Sequence, residues 1–237
     1  MIHPIGTNHR LHMRIAISLS LIYAIGVANA SEFQYLSESC EVALALSAAP
    51  QHLQKDASVY VLQKGGYVLV SQGSNPFTCL VQRNHPTSLL PVCFDQEGAA
   101  SIVRTILDTA GLVLSGATDT EINKAIVNGL ESGKYSAPRG SSLSYMLSAF
   151  NRMYDEDSQA LIELGPHSMI FTNHTRESIL FDRDSYELHN VLPSISGMGP
   201  FNYFVVRAEN ATDSDRIETR CGNQIDFALM KQPSSAR

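Results

Sequence analysis

Three runs rich in valine, tyrosine and leucine follow one another within residues 58–83. Gly65-Gly66 separates the first run from the second, and residues 73–76 separate the second from the third. A pair of glycines between two such runs indicates a tight hairpin, because both residues can adopt positive φ. The pattern predicts a three-stranded antiparallel meander with Cys79 on the inward face of its third strand.

Helical periodicity replaces the strand pattern from Gly98. Over residues 98–116 the apolar side chains form one predicted stripe of Val103, Ile106, Leu107, Ala110 and Leu114. A second helix is predicted to start at a capping box, Thr118 with Glu121, and its apolar residues Ile122, Ile126 and Leu130 recur at i+4 spacing. Both helices are therefore predicted to be amphipathic and to pack on the sheet.

A shorter helix is predicted over residues 38–50, with Val42, Leu46 and Ala49 on one face. Further strands are predicted over residues 142–148, 168–173 and 202–208. Runs of strands separated by paired helices favour an α+β fold, in which an antiparallel sheet packs against the two amphipathic helices. We expect a single domain over residues 31–237, with a peripheral tail from about residue 209.

The first 30 residues have the form of a secretory signal peptide. They contain no acidic residue, carry Arg10 and Arg14, continue with an apolar run and end in Ala28-Asn29-Ala30. The apolar run is shorter than the roughly 20 residues that span a membrane. We expect cleavage after Ala30, no stable membrane insertion afterwards, and a periplasmic or secreted protein; Met13 is an alternative start.

The chain without this signal has 15 basic and 23 acidic residues, a formal charge of −8. Nucleic acids and anionic membrane surfaces are bound by clustered lysine and arginine, so this balance argues against both partners. The expected partner is a small molecule or another envelope protein.

Four cysteines remain in the chain, at positions 40, 79, 93 and 221. An even number in an exported protein favours disulfides. No paired short spacing of the zinc type is present, although His85 lies between Cys79 and Cys93. The favoured pair is Cys79 with Cys93, since two X-Pro steps can turn the intervening chain back towards the strand; Cys40 would then pair with Cys221. Free structural thiols, a metal site and a thiol catalyst are the alternatives.

Several segments, among them "VYVLQKGGY", "GSNPFTCLVQRNHP", "PVCFDQEG" and "GPHSMIF", resemble a family of uncharacterised exported bacterial proteins. The resemblance spans approximately residues 40–207. It implies a bacterial, periplasmic setting and assigns no reaction.

His167 is the main candidate for a functional residue, because it follows Gly165-Pro166 at the start of a predicted strand. If it is functional, Asn75, Arg83 and His85 are candidates to lie beside it in a binding site. A hydrogen-bonded structural histidine is the alternative. No nucleophile elbow, phosphate-binding loop or metalloprotease motif is present, so no metal or cofactor is expected. The sequence thus favours a non-catalytic binding or accessory domain, with a hydrolase that uses His167 as general base as the alternative.

Overall fold

The computed structural model describes Phe33, residues 35–172, 194–198, 201–212 and 214–225, with backbone only for residues 194–198 and for Ser214. All of them belong to one compact unit, Ser31–Arg237. The predicted signal peptide lies outside the described residues. Within the described part of the chain, no helix has the length and apolar character needed to cross a membrane.

Six α-helices and ten strands are described. The helices are α1 Glu38–Ser47, α2 Gln51–Gln54, α3 Gln96–Gly98, α4 Arg104–Leu114, α5 Asp119–Glu131 and α6 Ser214–Cys221. The strands are β1 Ser58–Gln63, β2 Gly66–Ser71, β3 Thr78–Gln82, β4 Leu90–Phe94, β5 Ser141–Met146, β6 Arg152–Asp155, β7 Ala160–Glu163, β8 His167–Thr172, β9 Ser194–Met198 and β10 Phe201–Arg207.

Eight strands form one sheet in the order β2-β1-β3-β4-β5-β8-β10-β9, and β6 pairs with β7 in a separate ribbon. Every pairing in the large sheet is antiparallel except that of β1 with β3. The protein is therefore a mixed α and β structure built on a large, mostly antiparallel sheet. Strands β4, β6, β7 and β9 were not predicted from the sequence.

The predicted meander is wrong in its third strand. β1 and β2 form the expected hairpin, although of its two glycines only Gly66 has a positive φ, 116°. β3 does not extend from β2; it pairs on the other side of β1 and runs parallel to it. The chain must therefore cross the start of β1 between Ser71 and Thr78.

Gly73 makes this crossing possible. A Cβ atom at this position would lie 2.3 Å from the carbonyl oxygen of Asp56 and 2.4 Å from the backbone nitrogen of Ser58. The residues after Gly73 then bond to the same segment, because the amides of Ser74 and Asn75 both donate to the Asp56 carbonyl. Only glycine permits this approach of two backbones.

Each face of the sheet carries its own apolar core. On one side, Val59, Val61, Cys79, Val81 and Cys93 pack with residues of α1 and α6. On the other side, alternate residues of the same strands, such as Leu80, Val92 and Phe94, pack with the segment of residues 99–130. The alternation of strand side chains thus places successive residues of β3 in different cores.

The helical region of residues 96–131 lies over the second core. A π-helical segment, Ala99–Val103, precedes α4. The buried residues of this region are Gly98, Ser101, Ile102, Val103, Thr105, Thr109, Ala110, Val113, Ile122 and Gly129, whereas the predicted stripe residues Ile106, Leu107 and Leu114 are only partly buried. In α5, Ile122 is buried and the Thr118–Glu121 capping box is present.

The described part of the tail is not peripheral, contrary to expectation. Ile217, Cys221 and Ile225 are almost fully buried in the core that contains α1. The buried residues of α1 itself include Cys40, Glu41, Leu44 and Ala45, while Val42 and Leu46 of the predicted face are half-buried. α1 is therefore covered by the sheet on one side and by α6 on another.

Two disulfides join the elements of this first core. Cys79 and Cys93 are bonded and lie directly opposite each other in the pairing of β3 with β4. Cys40 of α1 is bonded to Cys221 at the end of α6. These are the two pairings that the sequence favoured, and no described cysteine is free.

Candidate binding site

A cavity of about 330 Å³ lies between the second face of the sheet and the helices α4 and α5. The strands supply Leu62, Tyr67, Gln82, Leu90, Phe201 and Tyr203. The helical region supplies Ile102, Thr105, Ile106, Thr109, Ala110, Val113, Leu114, Asp119, Ile122, Asn123 and Ile126, and Arg83, Asn84 and Met153 complete the wall.

The cavity wall is mostly apolar. Aliphatic side chains of α4 and α5 face aliphatic and aromatic side chains of the sheet. The hydroxyls of Thr105 and Thr109 are buried, but each donates a hydrogen bond to the carbonyl four residues earlier in the helix. These two threonines therefore present mainly methyl groups and contribute little polarity.

Arg83 is the most deeply buried charged group of the wall. Its Nη2 lies 3.1 Å from Oε2 of Glu41, and both side chains are no more than 2% exposed. Its Nη1 donates to the carbonyl of Ser88 at 2.9 Å. Its Nε is buried and has no hydrogen-bond partner among the described residues. Arg83 therefore lines the cavity and has a buried Nε–H without a partner among the described residues.

Glu41 of α1 is the ion-pair partner of Arg83. Its Oε1 also accepts a hydrogen bond from the backbone amide of Leu62 at 3.4 Å. Burial raises the pKa of the Glu41 carboxyl, and the charge of Arg83 and the hydrogen bonds it accepts oppose this. Because a buried carboxylate without a partner would be very unfavourable, Arg83 and Glu41 form one electrically neutral unit.

Tyr67 adds a further polar group that is already engaged. Its hydroxyl donates to the carbonyl of Val81 at 2.6 Å. Burial raises the pKa of this phenol well above its ordinary value, so Tyr67 is uncharged at physiological pH. The tyrosine fixes the position of β2 against β3 and adds no charge to the cavity.

Asp119, the first residue of α5, is the other charged group of the wall. Partial burial raises the pKa of its carboxyl, and the nearby Glu156 raises it further. Hydrogen bonding by the Asn84 side chain and the charge of His85 oppose this shift. Since Glu41 neutralises Arg83, Asp119 leaves the cavity wall with an uncompensated negative charge.

A second cavity of about 250 Å³ lies on the other side of Glu41. It is lined by Tyr35, Leu36, Glu38, Glu41, Val61, Leu62, Gln63 and Lys64. Leu62 contributes to both cavities, so the Glu41–Arg83 pair and the end of β1 stand between them.

The structure does not place His167 in a binding site. The residue is 8% exposed, and its Nδ1 lies 2.7 Å from the carbonyl oxygen of Gly165. His167 lines neither of the two cavities. Burial lowers the pKa of His167. The hydrogen bond to Gly165 opposes this shift, whereas the charge of Arg207 lowers the pKa further. These features match the structural alternative for this histidine.

The predicted neighbours of His167 are elsewhere. His167 begins β8, and Arg83 directly follows β3. Strands β4 and β5 lie between these two strands, so β3 and β8 are about 14 Å apart at about 4.8 Å per strand. The side chain of Asn75 bonds to both sides of the chain crossing. Its Nδ2 donates to the carbonyl of Leu53, and its Oδ1 accepts from the backbone amide of Phe77. Arg83 alone of the four candidates lines the large cavity.

His85 does not line the large cavity, although the charge of Asp119, which does, acts on its pKa. Its ring stacks on Tyr154 with centroids 3.9 Å apart, and its Nδ1 lies 2.8 Å from the hydroxyl oxygen of Thr87. Burial lowers its pKa, and the carboxylates of Asp119 and Glu156 oppose this shift. Among the described residues, no group of three or more histidine, cysteine or acidic side chains is arranged to hold a metal ion.

Comparison of the chain with protein-family models, with curated proteins and with solved structures gives no match.

Of the charged and amide side chains near Arg83, the sequence analysis did not identify Glu41, Asn84, Asp119 or Asn123. Glu41 lies in an apolar helical segment, and a charged residue in such a segment is a signal for a buried partner. Asp119, Asn84 and Asn123 carry no comparable signal, because acidic residues at helix starts and amides in loops are common on protein surfaces.

Proposed function

We propose that this protein is a non-catalytic binding domain whose ligand occupies the cavity between the sheet and helices α4 and α5. The observation that carries the proposal is the cavity itself, about 330 Å³ in volume, apolar along most of its wall and polar near Arg83 and Asp119. Small-molecule sites in proteins are typically concave, mostly apolar and fitted with a few polar groups. The two amphipathic helices would serve as the cover of this site.

The hydrolase alternative has less support. A general base must reach the proton that it removes, either directly or through one water molecule. The described hydrogen bond of His167 goes to a backbone carbonyl, and neither cavity touches the ring. Its lowered pKa has a sufficient cause in burial alone. We therefore assign His167 a structural role.

We further propose that the protein works in the bacterial envelope after removal of residues 1–30. The two disulfides support this setting, because such bonds persist in oxidising compartments. N-terminal sequencing of protein recovered from the periplasm should begin at Ser31. Recovery of the intact N-terminus from that compartment would exclude the cleavage.

The cavity can be tested by filling it. Ala110 lines the cavity and is 4% exposed, so Ala110→Leu should place three additional carbon atoms in the ligand space. We expect toluene and 1-octanol to bind the wild-type protein in a ligand-observed NMR titration, and Ala110→Leu to weaken binding at least tenfold. Ala160→Leu, on the exposed strand β7, is the matched control. Equal binding by all three proteins would refute the proposal.

A second candidate function is recognition of an envelope protein. On one face of the sheet, Leu143, Ile170 and Phe204 are paired across three adjacent strands, and Ile170 and Val206 are each 39% exposed. An apolar stripe of this kind is typical of protein contacts. Ile170→Asp should abolish capture of a specific cross-linked partner, whereas Leu161→Asp, at an equally exposed apolar position of β7, should not.

A further inference from the structure

The charges and unused hydrogen-bonding groups of the cavity wall restrict the chemistry of its ligand. Provided that the proposed function holds, we propose that the cavity takes an uncharged amphipathic molecule, an aliphatic chain whose head group both accepts and donates hydrogen bonds. A primary amide is the simplest group of this kind.

The first restriction comes from Arg83. Two of its nitrogen atoms are committed, Nη2 to Glu41 and Nη1 to the carbonyl of Ser88. The remaining Nε–H is buried and has no partner among the described residues. A buried donor without a partner costs stability, so a ligand that brings an acceptor oxygen gains from satisfying it. A purely apolar ligand cannot do so.

The second restriction comes from charge. Glu41 already neutralises Arg83 at 3.1 Å, so the arginine has no net charge to offer a ligand anion. Asp119 then leaves one negative charge on the wall. A carboxylate head group would be repelled by Asp119 in a space of low polarity, where charges interact more strongly than in water. The cavity is therefore unsuited to a fatty acid anion.

A cationic head group is also unsuited. It would balance Asp119, but an ammonium has no acceptor for the unused N–H of Arg83. It would also lose its hydration in a cavity whose wall is mostly aliphatic, which is costly for any ion. A neutral head with one acceptor and one donor can satisfy Arg83 and donate to Asp119 or to the amide oxygen of Asn123, both of which line the cavity.

The volume of the cavity sets the length of the chain. At about 30 Å³ for a group the size of a water molecule, 330 Å³ holds about 11 non-hydrogen atoms. An eight-carbon chain with a small head group has this size. Longer chains would need the helices to move.

The test compares three probes of matched length, octanamide, octanoate and octylammonium, by isothermal titration calorimetry at pH 8. We expect octanamide to bind the wild-type protein at least about tenfold more tightly than either ion, with Ala110→Leu abolishing its binding. In Asp119→Asn, the preference for octanamide over octanoate should fall about tenfold. Glu131→Gln, at the exposed other end of α5, should not change this preference.

The outcomes separate this inference from the proposed function. If octanoate or octylammonium binds most tightly and Ala110→Leu still blocks it, the cavity is the site but the inferred head group is wrong. If Asp119→Asn leaves the preference against octanoate unchanged, the charge argument fails. If no probe binds a protein that shows a cooperative thermal transition, both the inference and the proposed function are overturned.

Discussion

Arg83 and Glu41 form an ion pair at 3.1 Å, with side chains that are 2% and 1% exposed. Arg83 follows β3 and Glu41 lies in α1, so the pair links two residues that are 42 positions apart in the chain. Its Arg83 end forms part of the large cavity and its Glu41 end part of the small one. The pair thus connects α1 to the end of β3 and also forms part of the proposed site.

Removing either partner should be strongly destabilising, because the other charge would remain buried. We expect Arg83→Ala and Glu41→Ala each to lower the free energy of unfolding by about 3–5 kcal/mol in urea denaturation. The double variant Glu41→Leu/Arg83→Met should lose less than the sum of the two single losses. Lys55→Ala, which removes an exposed ion pair with Asp56, is the control and should cost under about 1 kcal/mol. Additive losses would show that the two charges do not interact.

The disulfides should be detectable by peptide mapping without reduction. We expect Cys79 linked to Cys93 and Cys40 linked to Cys221 in protein from an oxidising compartment. With a sequence separation of 14, the first bond should stabilise by about 3 kcal/mol, and the second, with a separation of 181, by about 5 kcal/mol in the chain-entropy model. Free thiols that can be alkylated at these four positions would contradict both pairings.

Substitution of Gly73 should destabilise the protein more than substitution of Gly65 in the turn between β1 and β2. Gly73→Ala forces a Cβ atom against the backbone of residues 56–58, so we expect a loss of about 2–3 kcal/mol in unfolding free energy. Gly65→Ala is a matched control nearby, since its Cβ would have no neighbour within 4 Å. A similar small effect of both substitutions would show that the chain crosses β1 elsewhere.

His167→Ala should affect stability and leave binding intact. Its buried ring bonds the Gly165 carbonyl, and loss of that partner should cost about 1–3 kcal/mol. The affinity for octanamide should change less than threefold, because the residue does not line the cavity. Loss of binding in a variant with an unchanged melting temperature would instead restore His167 as a site residue.

The pH dependence of stability should carry a contribution from the same histidine. Burial lowers the pKa of His167 in the folded protein, so the unfolded chain binds the proton more readily. Its contribution is complete above the unfolded value of about 6.5 and is lost as the pH falls from there through the lowered folded pKa. Thermal melts between pH 8 and pH 5 should show a smaller acid-induced decrease for His167→Phe than for the wild type.

Local patterns in the sequence were sufficient where the structure depends on neighbouring residues. The hairpin at Gly65-Gly66, the capping box of α5 and the strands that became β5, β8 and β10 all follow from spacing and turn chemistry over a few positions. The burial of Cys79 follows from strand alternation in the same way.

Only the tertiary structure decided which elements became neighbours. The position of β3 beside β1 depends on a contact between two backbones at Gly73, and a sequence pattern does not show which strand edge is free. The π-helical segment before α4 is a local departure from the 3.6-residue period, and the buried positions match the predicted stripe only at Val103 and Ala110.

The residues of the cavity wall were also only partly predictable from the sequence. Hydrophobic spacing identified most of the apolar residues of α4 and α5, but the polar wall joins Arg83, Asn84 and Asp119 from separate segments. His167 was placed at a strand start, yet the strand order puts β4 and β5 between it and β3. Periodicity specifies the face on which a residue lies, whereas the neighbours of that face are set by long-range packing, which no short window of sequence contains.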